Sequence, residues 1–201
     1  MIQGKLLVAN RGEIATRVFR AAAELGLPTV AVYPADDAAS LHTRKADEAV
    51  QLPGRGVAAY LDGEAVLAAA KEVGATAIHP GYGFLSENAG FARACAAAGV
   101  TFVGPSPESL ELFGDKHAAR RLAAEQNVPT LAGTAAPTSL EQAREFMADL
   151  GPGGAVMVKA VAGGGGRGMR PVLDAADLEE AFTRCQSEAL SGFGNGDLFV
   201  E

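Results

Sequence analysis

Strand-like and helix-like segments alternate along the first half of the chain, and this alternation restricts the possible folds more than any other feature. The apolar run 6–9 precedes a segment whose apolar residues recur at helical spacing, and 29–33 forms the next apolar run. Further helical segments lead into strand-like runs at 75–78 and 100–103. Because parallel strands need crossover connections, the pattern predicts an α/β fold with a parallel sheet covered by helices on both faces.

The pattern changes beyond the middle of the chain. Residues 130–137 show no periodicity, and we predict the domain boundary there, which gives domains of 1–129 and 130–201. The second domain reads as a helix, two strands, a helix and a strand, a small α+β unit. Thr138 to Glu141 has the sequence of a capping box that would begin the first of these helices. The chain ends inside the last predicted strand, so we expect a fragment of a longer protein.

Composition and charge exclude several classes of protein. Of the 201 residues, 48% are hydrophobic and 20% are charged, and no apolar run approaches the roughly 20 residues of a membrane-spanning helix. The net charge of −7 argues against binding to nucleic acid. No secretory signal opens the sequence, so we expect a cytoplasmic protein. The spacing of Cys95, Cys185 and the three histidines predicts buried thiols, and neither a disulfide nor a metal site.

The segment 159–169 carries the strongest local signal for chemistry. Four consecutive glycines, 163–166, follow a strand-like run that ends at Lys159. Glycine costs up to about 1 kcal/mol relative to alanine in an ordered segment, so four together indicate a need for bare backbone. Bare N–H groups can converge on phosphate oxygens, and a lysine adds positive charge. Glycine content alone suits a flexible surface loop equally well, but the lysine favours a polyphosphate site.

Two common nucleotide motifs do not fit the sequence. No Gly-Lys-Ser/Thr opens a helix, as a Walker A motif requires. The turn after the first strand contains one glycine, Gly12, where a dinucleotide fingerprint needs three. Asp36 or Asp37 could nevertheless imitate the acidic ribose ligand of that fingerprint. An NAD-binding domain is therefore an alternative that the sequence disfavours.

Residues 79–88, with the sequence HPGYGFLSEN, have two interpretations. The segment follows a predicted strand, and ligand sites in α/β sheets gather beyond the carboxyl ends of strands. It could equally be a rigid turn in which Pro80 sets the backbone while Tyr82 and Phe84 fill the core. Lys116, near the start of a predicted helix, would on its own be a solvated lysine.

Together, five segments resemble the signature blocks of biotin carboxylases, in that family's order and spacing. The segments are 9–15, 79–88, 102–105, 114–116 and 159–169. The resemblance covers essentially the whole chain. It implies a Rossmann-like (pre-ATP-grasp) domain over 1–129 and a small ATP-grasp lid over 130–201, with the remainder of the ATP-grasp fold outside this chain.

The resemblance also implies the residues of a site. The positions that match ATP-binding residues of the family are Lys116, Lys159, Gly164, Gly165, Gly166, Met169 and Glu201. The two lysines would contact the phosphates, the glycines would close over them, and Met169 and Glu201 would lie toward the adenine. Tyr82 matches a residue near the biotin site. The catalytic groups and the metal ligands of the family lie beyond Glu201, so the resemblance assigns none within this chain.

The activity implied is the ATP-dependent carboxylation of biotin on a carrier protein or domain, with bicarbonate activated as carboxyphosphate and Mg²⁺ or Mn²⁺ as the metal. The implied partners are the biotin carboxyl carrier, a carboxyltransferase and further copies of the protein in a homo-oligomer. An acyl-CoA type of carboxylase, in fatty acid metabolism, is the expected class, although pyruvate and urea carboxylases share the blocks. We expect this chain alone to be inactive.

Two alternatives to this function stay open. Another ATP-grasp ligase, such as a carbamoyl phosphate synthetase-like enzyme, would share the lid but not the 79–88 block. A non-catalytic nucleotide-binding module would keep the shape of the site without its chemistry.

Overall fold

The structure is a computed structural model, and its described residues are 4–134, 137–161 and 168–201. For His117 it describes the backbone and not the side chain. The chain divides into two compact units, Met1–Glu111 and Leu112–Glu201. None of the helices in the described ranges is long and apolar enough to cross a membrane.

In the described residues, the first unit contains a five-stranded sheet with the order β3-β2-β1-β4-β5. Its strands are β1 (Lys5–Val8), β2 (Thr29–Tyr33), β3 (Glu48–Gln51), β4 (Ala75–His79) and β5 (Thr101–Phe102). Every pairing is parallel, which confirms the predicted sheet. Strand β3 was not predicted from the sequence, because it is an edge strand with three exposed residues and has no apolar run.

Helices cover both faces of this sheet, as predicted. The helices that begin in the first unit are α1 (Gly12–Glu24), α2 (Gly56–Leu61), α3 (Gly63–Glu72), α4 (Ala89–Ala97) and α5 (Pro107–Gly114). On β1, Leu7 packs into a cluster with residues of α2, α3 and α4, whereas Leu6 and Val8 pack with residues of α1. Successive side chains of a strand point to opposite faces, so two cores form from one buried strand. Asn88 caps α4, accepting a hydrogen bond from the Phe91 N–H at 2.8 Å.

The second unit is the small α+β arrangement that the sequence predicted. Its described strands, β6 (Val156–Ala160), β7 (Met169–Val172) and β8 (Leu198–Val200), form an antiparallel sheet in the order β7-β6-β8. Its helices are α6 (Lys116–Glu125), α7 (Leu140–Asp149) and α8 (Leu178–Phe193). Phe182 and Cys185 of α8 pack with Met147 of α7 and with one face of the sheet.

The compact units divide earlier than the predicted domains. Helix α6, which the sequence analysis grouped with residues 1–129, is part of the second unit. Lys116 and Arg120 of this helix bond to residues of β6 and to Glu201, so α6 is tied to the second sheet. The division into domains at 129 and 130 stays a prediction.

The start of α7 differs by one residue from the predicted capping box. Ser139, and not Thr138, is the N-cap: its hydroxyl accepts from the Gln142 N–H at 3.2 Å, and Gln142 Oε1 accepts from the Ser139 N–H at 2.8 Å. The Thr138 hydroxyl instead shares a hydrogen bond of 2.6 Å with the hydroxyl of Thr134. The prediction was wrong because Gln142 can fill the same role as the glutamate at position 141.

Both cysteines are buried and free, as predicted. Burial raises the pKa of the Cys95 thiol to about 11, and it also raises the pKa of the Cys185 thiol. Because the thiolate is the reactive form, we expect neither cysteine to react with an aromatic disulfide reagent at about pH 8 in the native protein. Both should react after unfolding in denaturant. Stoichiometric labelling of native protein would contradict this burial.

Candidate functional site

The two faces of the second unit's sheet have different chemistry. The core-facing residues of β6 are Val156, Val158 and Ala160. Lys159 alternates with them and so lies on the other face, directly opposite Met169 of β7 and Phe199 of β8. Glu201 exchanges backbone hydrogen bonds with Met157, which places its side chain on the same face. We call this surface, with Lys159, Met169 and Glu201, the polar face.

On the polar face, the Glu201 carboxylate is shared by two cations. Lys159 Nζ pairs with one carboxylate oxygen, Oε1. Arg120 Nη1 lies 2.7 Å from the other oxygen, Oε2. The exposed fractions of the three side chains are 21% for Lys159, 26% for Arg120 and 14% for Glu201, so the pairs are partly shielded from water. Such pairs are screened less by salt than exposed ones.

Lys116 adds a third cation to this cluster. It is the first residue of α6, and its Nζ donates to the backbone carbonyls of Ala160 at 3.4 Å and Val161 at 3.3 Å. These carbonyls lie where the chain leaves β6. The described cluster therefore contains three cations, Lys116, Arg120 and Lys159, in a protein whose net charge is −7. Arg120 and Lys159 pair with the Glu201 carboxylate, and Lys116 lies close enough to Lys159 to lower its pKa.

Electrostatics of the cluster favour a further anion. Burial lowers the pKa of Lys159, and repulsion from Arg120 and Lys116 lowers it further. Burial also lowers the pKa of Lys116. Each shift means that the charged lysine is less well stabilised here than in water. A bound polyanion such as a polyphosphate would offset both the cost of burial and the repulsion between the cations. An ordinary surface lysine has neither of these costs.

The structure thus brings together three of the residues that the sequence assigned to ATP: Lys116, Lys159 and Glu201. Met169 lies beside Lys159 on the polar face and is 40% exposed. Gly164, Gly165 and Gly166 lie outside the described residues, and their assignment stays a prediction. The roles of all these residues toward a nucleotide are likewise predictions.

Arg120 is the residue of this cluster that the sequence analysis missed. It lies one helical turn after Lys116, and residues four apart on a helix share a face. That spacing was the one sequence signal for Arg120. It did not distinguish Arg120 from Arg121, the next residue, which is equally basic and is exposed.

Tyr82 belongs to the first unit and is exposed, with its hydroxyl donating to Glu13 Oε2 at 3.4 Å. The prediction that Tyr82 fills the core was therefore wrong. Phe84, in contrast, does pack against the core, and its ring stacks on that of Tyr60, with ring centroids 5.5 Å apart. The segment is nevertheless the rigid turn of the second interpretation. The buried Asn10 side chain donates to the carbonyls of Pro80 at 2.8 Å and Tyr82 at 3.0 Å. The association of Tyr82 with biotin stays a prediction.

The two carboxylates considered as ribose ligands have other roles. Asp36 accepts from the Gly56 N–H at 3.0 Å. Asp37 accepts from Ser40 and from Tyr60, at 2.7 and 2.8 Å, and these hydrogen bonds help to hold its pKa below its usual value. Both carboxylates stabilise the turn after β2, which speaks against the NAD-binding alternative.

The side chains that commonly bind metals are not clustered in the described parts of the chain. No group of three or more His, Cys, Asp or Glu side chains among them could hold a metal ion. Glu201, the carboxylate of the cluster, has both oxygens bound to cations. We therefore assign no metal ligand within the described parts of the chain.

Comparison with known protein families supports the resemblance to biotin carboxylases. Residues 2–110 match the family model "Biotin carboxylase, N-terminal domain". Residues 115–201 match "Carbamoyl-phosphate synthase L chain, ATP binding domain". The 79–88 block, which we expect in biotin carboxylases and not in other ATP-grasp ligases, lies within the first match.

Individual relatives are also biotin-dependent carboxylases or their biotin carboxylase domains. The chain is 55% identical to mitochondrial pyruvate carboxylase of Mus musculus, over 98% of this chain and 17% of that protein. It superposes with a TM-score of 0.92 and 42% identity on the biotin carboxylase domain of Hydrogenobacter thermophilus 2-oxoglutarate carboxylase, covering all of this chain and 44% of that one. That structure is a dimer in complex with MgADP, ADP and bicarbonate.

A single-chain, multi-domain long-chain acyl-CoA carboxylase is 57% identical over 84% of this chain and 16% of that chain, with a TM-score of 0.74. The chain spans less than a fifth of the curated relatives and under half of the biotin carboxylase domain. The match over more than half of its length nevertheless decides the family. The chain belongs to the biotin carboxylase family.

Proposed function

We propose that this chain is the N-terminal part of a biotin carboxylase, in which it helps to bind ATP for the carboxylation of biotin with bicarbonate. The observation that carries the proposal is the cluster of three cations at the polar face, of which Arg120 and Lys159 pair with Glu201 and Lys116 bonds to the end of β6. A triphosphate supplies the anionic charge that the cluster favours. The complex of the Hydrogenobacter thermophilus relative with MgADP and bicarbonate supports the same ligands here.

Each predicted residue has a distinct role in this proposal. Lys116 and Lys159 contact the phosphates and offset the negative charge that develops as the phosphoryl group passes to bicarbonate. Gly164 to Gly166 close over the nucleotide and exclude water, which would destroy carboxyphosphate. Met169 and Glu201 lie toward the adenine. Mg²⁺ or Mn²⁺ would be held by residues outside this chain and would supply positive charge that offsets the negative charge of the transferred phosphoryl group.

The partners and the compartment follow from the same proposal. The carboxyl group passes to N1 of biotin on a carrier protein or domain near Tyr82, and a carboxyltransferase then delivers it to the acceptor. The relatives include pyruvate carboxylases as well as a long-chain acyl-CoA carboxylase, so we assign the acceptor to the carboxyltransferase and not to the residues described here. The expected acyl-CoA class and the cytoplasmic location belong to the proposal; cell fractionation tests the second, since the mouse relative is mitochondrial.

The test is bicarbonate-dependent release of phosphate from ATP. The complete carboxylase, supplied with free biotin and Mg²⁺, is expected to cleave ATP only when bicarbonate is present. The 201-residue chain alone is expected to show no turnover, because the proposal places the catalytic groups beyond Glu201. Cleavage by the complete protein that ignores bicarbonate and biotin would contradict the proposed reaction. Turnover by the 201-residue chain would contradict the placement of the catalytic groups beyond Glu201.

Nucleotide affinity should also depend on pH in a defined direction. The pKa of Lys159 lies below the usual lysine value of 10.5. Bound phosphate favours the charged lysine and so raises this pKa again, which means that a neutral lysine must take up a proton on binding. Affinity for ADP is therefore expected to fall as the pH rises through the free-state pKa, by up to about tenfold per pH unit for one lysine.

Titration calorimetry between about pH 7 and pH 10 measures this dependence. Two buffers with different ionisation enthalpies report the number of protons that are taken up. Proton release on binding, or an affinity that rises with pH over this range, would contradict a role for these lysines in phosphate binding.

A further inference from the structure

Arg120 is fixed more firmly than Lys159, the other cation that pairs with Glu201. Its Nη1 binds Glu201 Oε2 at 2.7 Å, and its Nη2 donates to the Leu131 carbonyl at 2.6 Å. Two different nitrogens of one rigid guanidinium thus hold two different segments of the chain. Lys159, by contrast, reaches Glu201 through a single ammonium group on a flexible stem.

The backbone next to Arg120 is shaped around this contact. A Cβ atom at Gly133 would lie 2.8 Å from Arg120 Nη2, 3.0 Å from the Val200 carbonyl oxygen and 3.2 Å from Glu201 Cβ. Residue 133 can therefore be no larger than glycine without displacing the guanidinium or the end of β8. Thr134 continues the contact, because its N–H donates to the Val200 carbonyl at 2.8 Å. The segment 131–134 thus packs along one side of the Arg120–Glu201 pair.

This geometry gives Arg120 and Lys159 different parts to play when a polyphosphate arrives. If Lys159 turned to a phosphate while Glu201 had no other partner, an unpaired carboxylate would remain beside the ligand and repel it. With Arg120 in place, one oxygen of Glu201 stays paired and the carboxylate stays where it is. Lys159 can then exchange the carboxylate for phosphate at a much lower electrostatic cost.

We propose that Arg120 is a positioning residue that holds and neutralises Glu201, so that Lys159 is released to bind the phosphates of the nucleotide. This proposal rests on the proposed nucleotide-binding function and adds a residue to it that does not touch the ligand. Its signature is a preference for phosphate. Loss of Arg120 weakens binding more for ligands with more negative charge, so it weakens ADP more than adenosine, whose base lies toward Glu201 in the proposed site.

The test compares ADP with adenosine in the complete carboxylase. The measured quantity is the ratio of the Kd for adenosine to the Kd for ADP, obtained by competition with a fluorescent nucleotide. Arg120→Gln is expected to lower this ratio roughly tenfold, a change equivalent to about 1.4 kcal/mol. Arg120→Lys, which keeps the charge, should restore most of the ratio. Arg121→Gln, on the exposed neighbour of Arg120, is the matched control and should leave it unchanged.

Glu201 gives the second arm of the test. In the double variant Arg120→Gln/Glu201→Gln, the carboxylate that Arg120 neutralises is gone, and the ratio should return to within about threefold of the wild-type value, as expected for coupled residues. Glu201→Gln alone should raise the ratio, because Lys159 loses its competing partner. This single variant also keeps the proposal testable if Arg120→Gln fails to fold.

The outcomes separate the two proposals. If Arg120→Gln weakens ADP and adenosine equally, Arg120 is only a structural residue and the inference is wrong. The inference is also wrong if the ratio stays low in the double variant. If the wild-type protein binds no ADP, or if Lys159→Gln leaves ADP binding intact, the proposed function fails and this inference fails with it.

Discussion

Replacing Lys159 with glutamine is expected to weaken binding of ADP and ATP to the complete carboxylase by about ten- to a hundredfold. A hydrogen bond to a charged group contributes about 1.5–3 kcal/mol, and each 1.4 kcal/mol is a factor of ten in affinity. The variant also leaves Glu201 with one cation instead of two, so the site becomes less positive. Glutamine keeps much of the side-chain length, which limits the change to charge.

Lys71→Gln is the matched control for this substitution. Lys71 lies in α3 of the first unit and is exposed, so its replacement should change neither stability nor affinity by a measurable amount. Titration calorimetry or displacement of a fluorescent nucleotide gives both affinities. If the two variants bind ADP as tightly as the wild type, Lys159 is not a phosphate ligand. An equal loss of ADP affinity in both variants would indicate a general effect of net charge.

The second large effect is expected for Gly81→Ala in the turn that carries Tyr82. Gly81 has a φ of +69°, and an added Cβ would lie 2.6 Å from Ile14 Cγ2 and 2.7 Å from Asn10 Nδ2. The left-handed backbone costs an alanine about 1–2 kcal/mol, and overpacking adds about 1–3 kcal/mol. Displacement of Asn10 would also leave one buried carbonyl, that of Pro80, and one partly buried carbonyl, that of Tyr82, short of a donor. We expect the free energy of unfolding to fall by about 3–5 kcal/mol.

Gly83→Ala separates these causes. Gly83 has nearly the same backbone angle, φ +68°, but an added Cβ would meet nothing within 4 Å. Its substitution should therefore cost only the backbone part, about 1–2 kcal/mol. Urea unfolding of the 201-residue chain, followed by circular dichroism, measures both. Equal losses of unfolding free energy in the two variants would mean that the Asn10 hydrogen bonds to Pro80 and Tyr82 do not hold this turn.

The parallel sheet could be predicted because its central strands are buried on both faces. Thr29–Tyr33 reads as an unbroken apolar run for this reason, and its bounds agree with the prediction. Strand β3 could not be found in the same way, since an edge strand with polar residues at both ends looks like a loop. Its place in the sheet depends on pairing with β2, which is a long-range contact.

The candidate site shows the same limit. Lys159 was predicted from a local pattern, a strand followed by glycines, and the resemblance to biotin carboxylases added Lys116 and Glu201. Arg120 could not be found, because its importance comes from contacts with residues 11 and 81 positions away in the chain. The exposure of Tyr82 was missed for a related reason: Asn10 fixes the turn from another strand, so the turn does not need Tyr82 in the core.

The central claim is that the polar face of the second unit binds the phosphates of a nucleotide. A structure of the complete carboxylase with a non-hydrolysable ATP analogue tests this most directly. Phosphate oxygens are expected within hydrogen-bonding distance of Lys116 Nζ and Lys159 Nζ, with Arg120 still paired to Glu201. Phosphates bound elsewhere, with the Lys159–Glu201 pair unchanged, would contradict it.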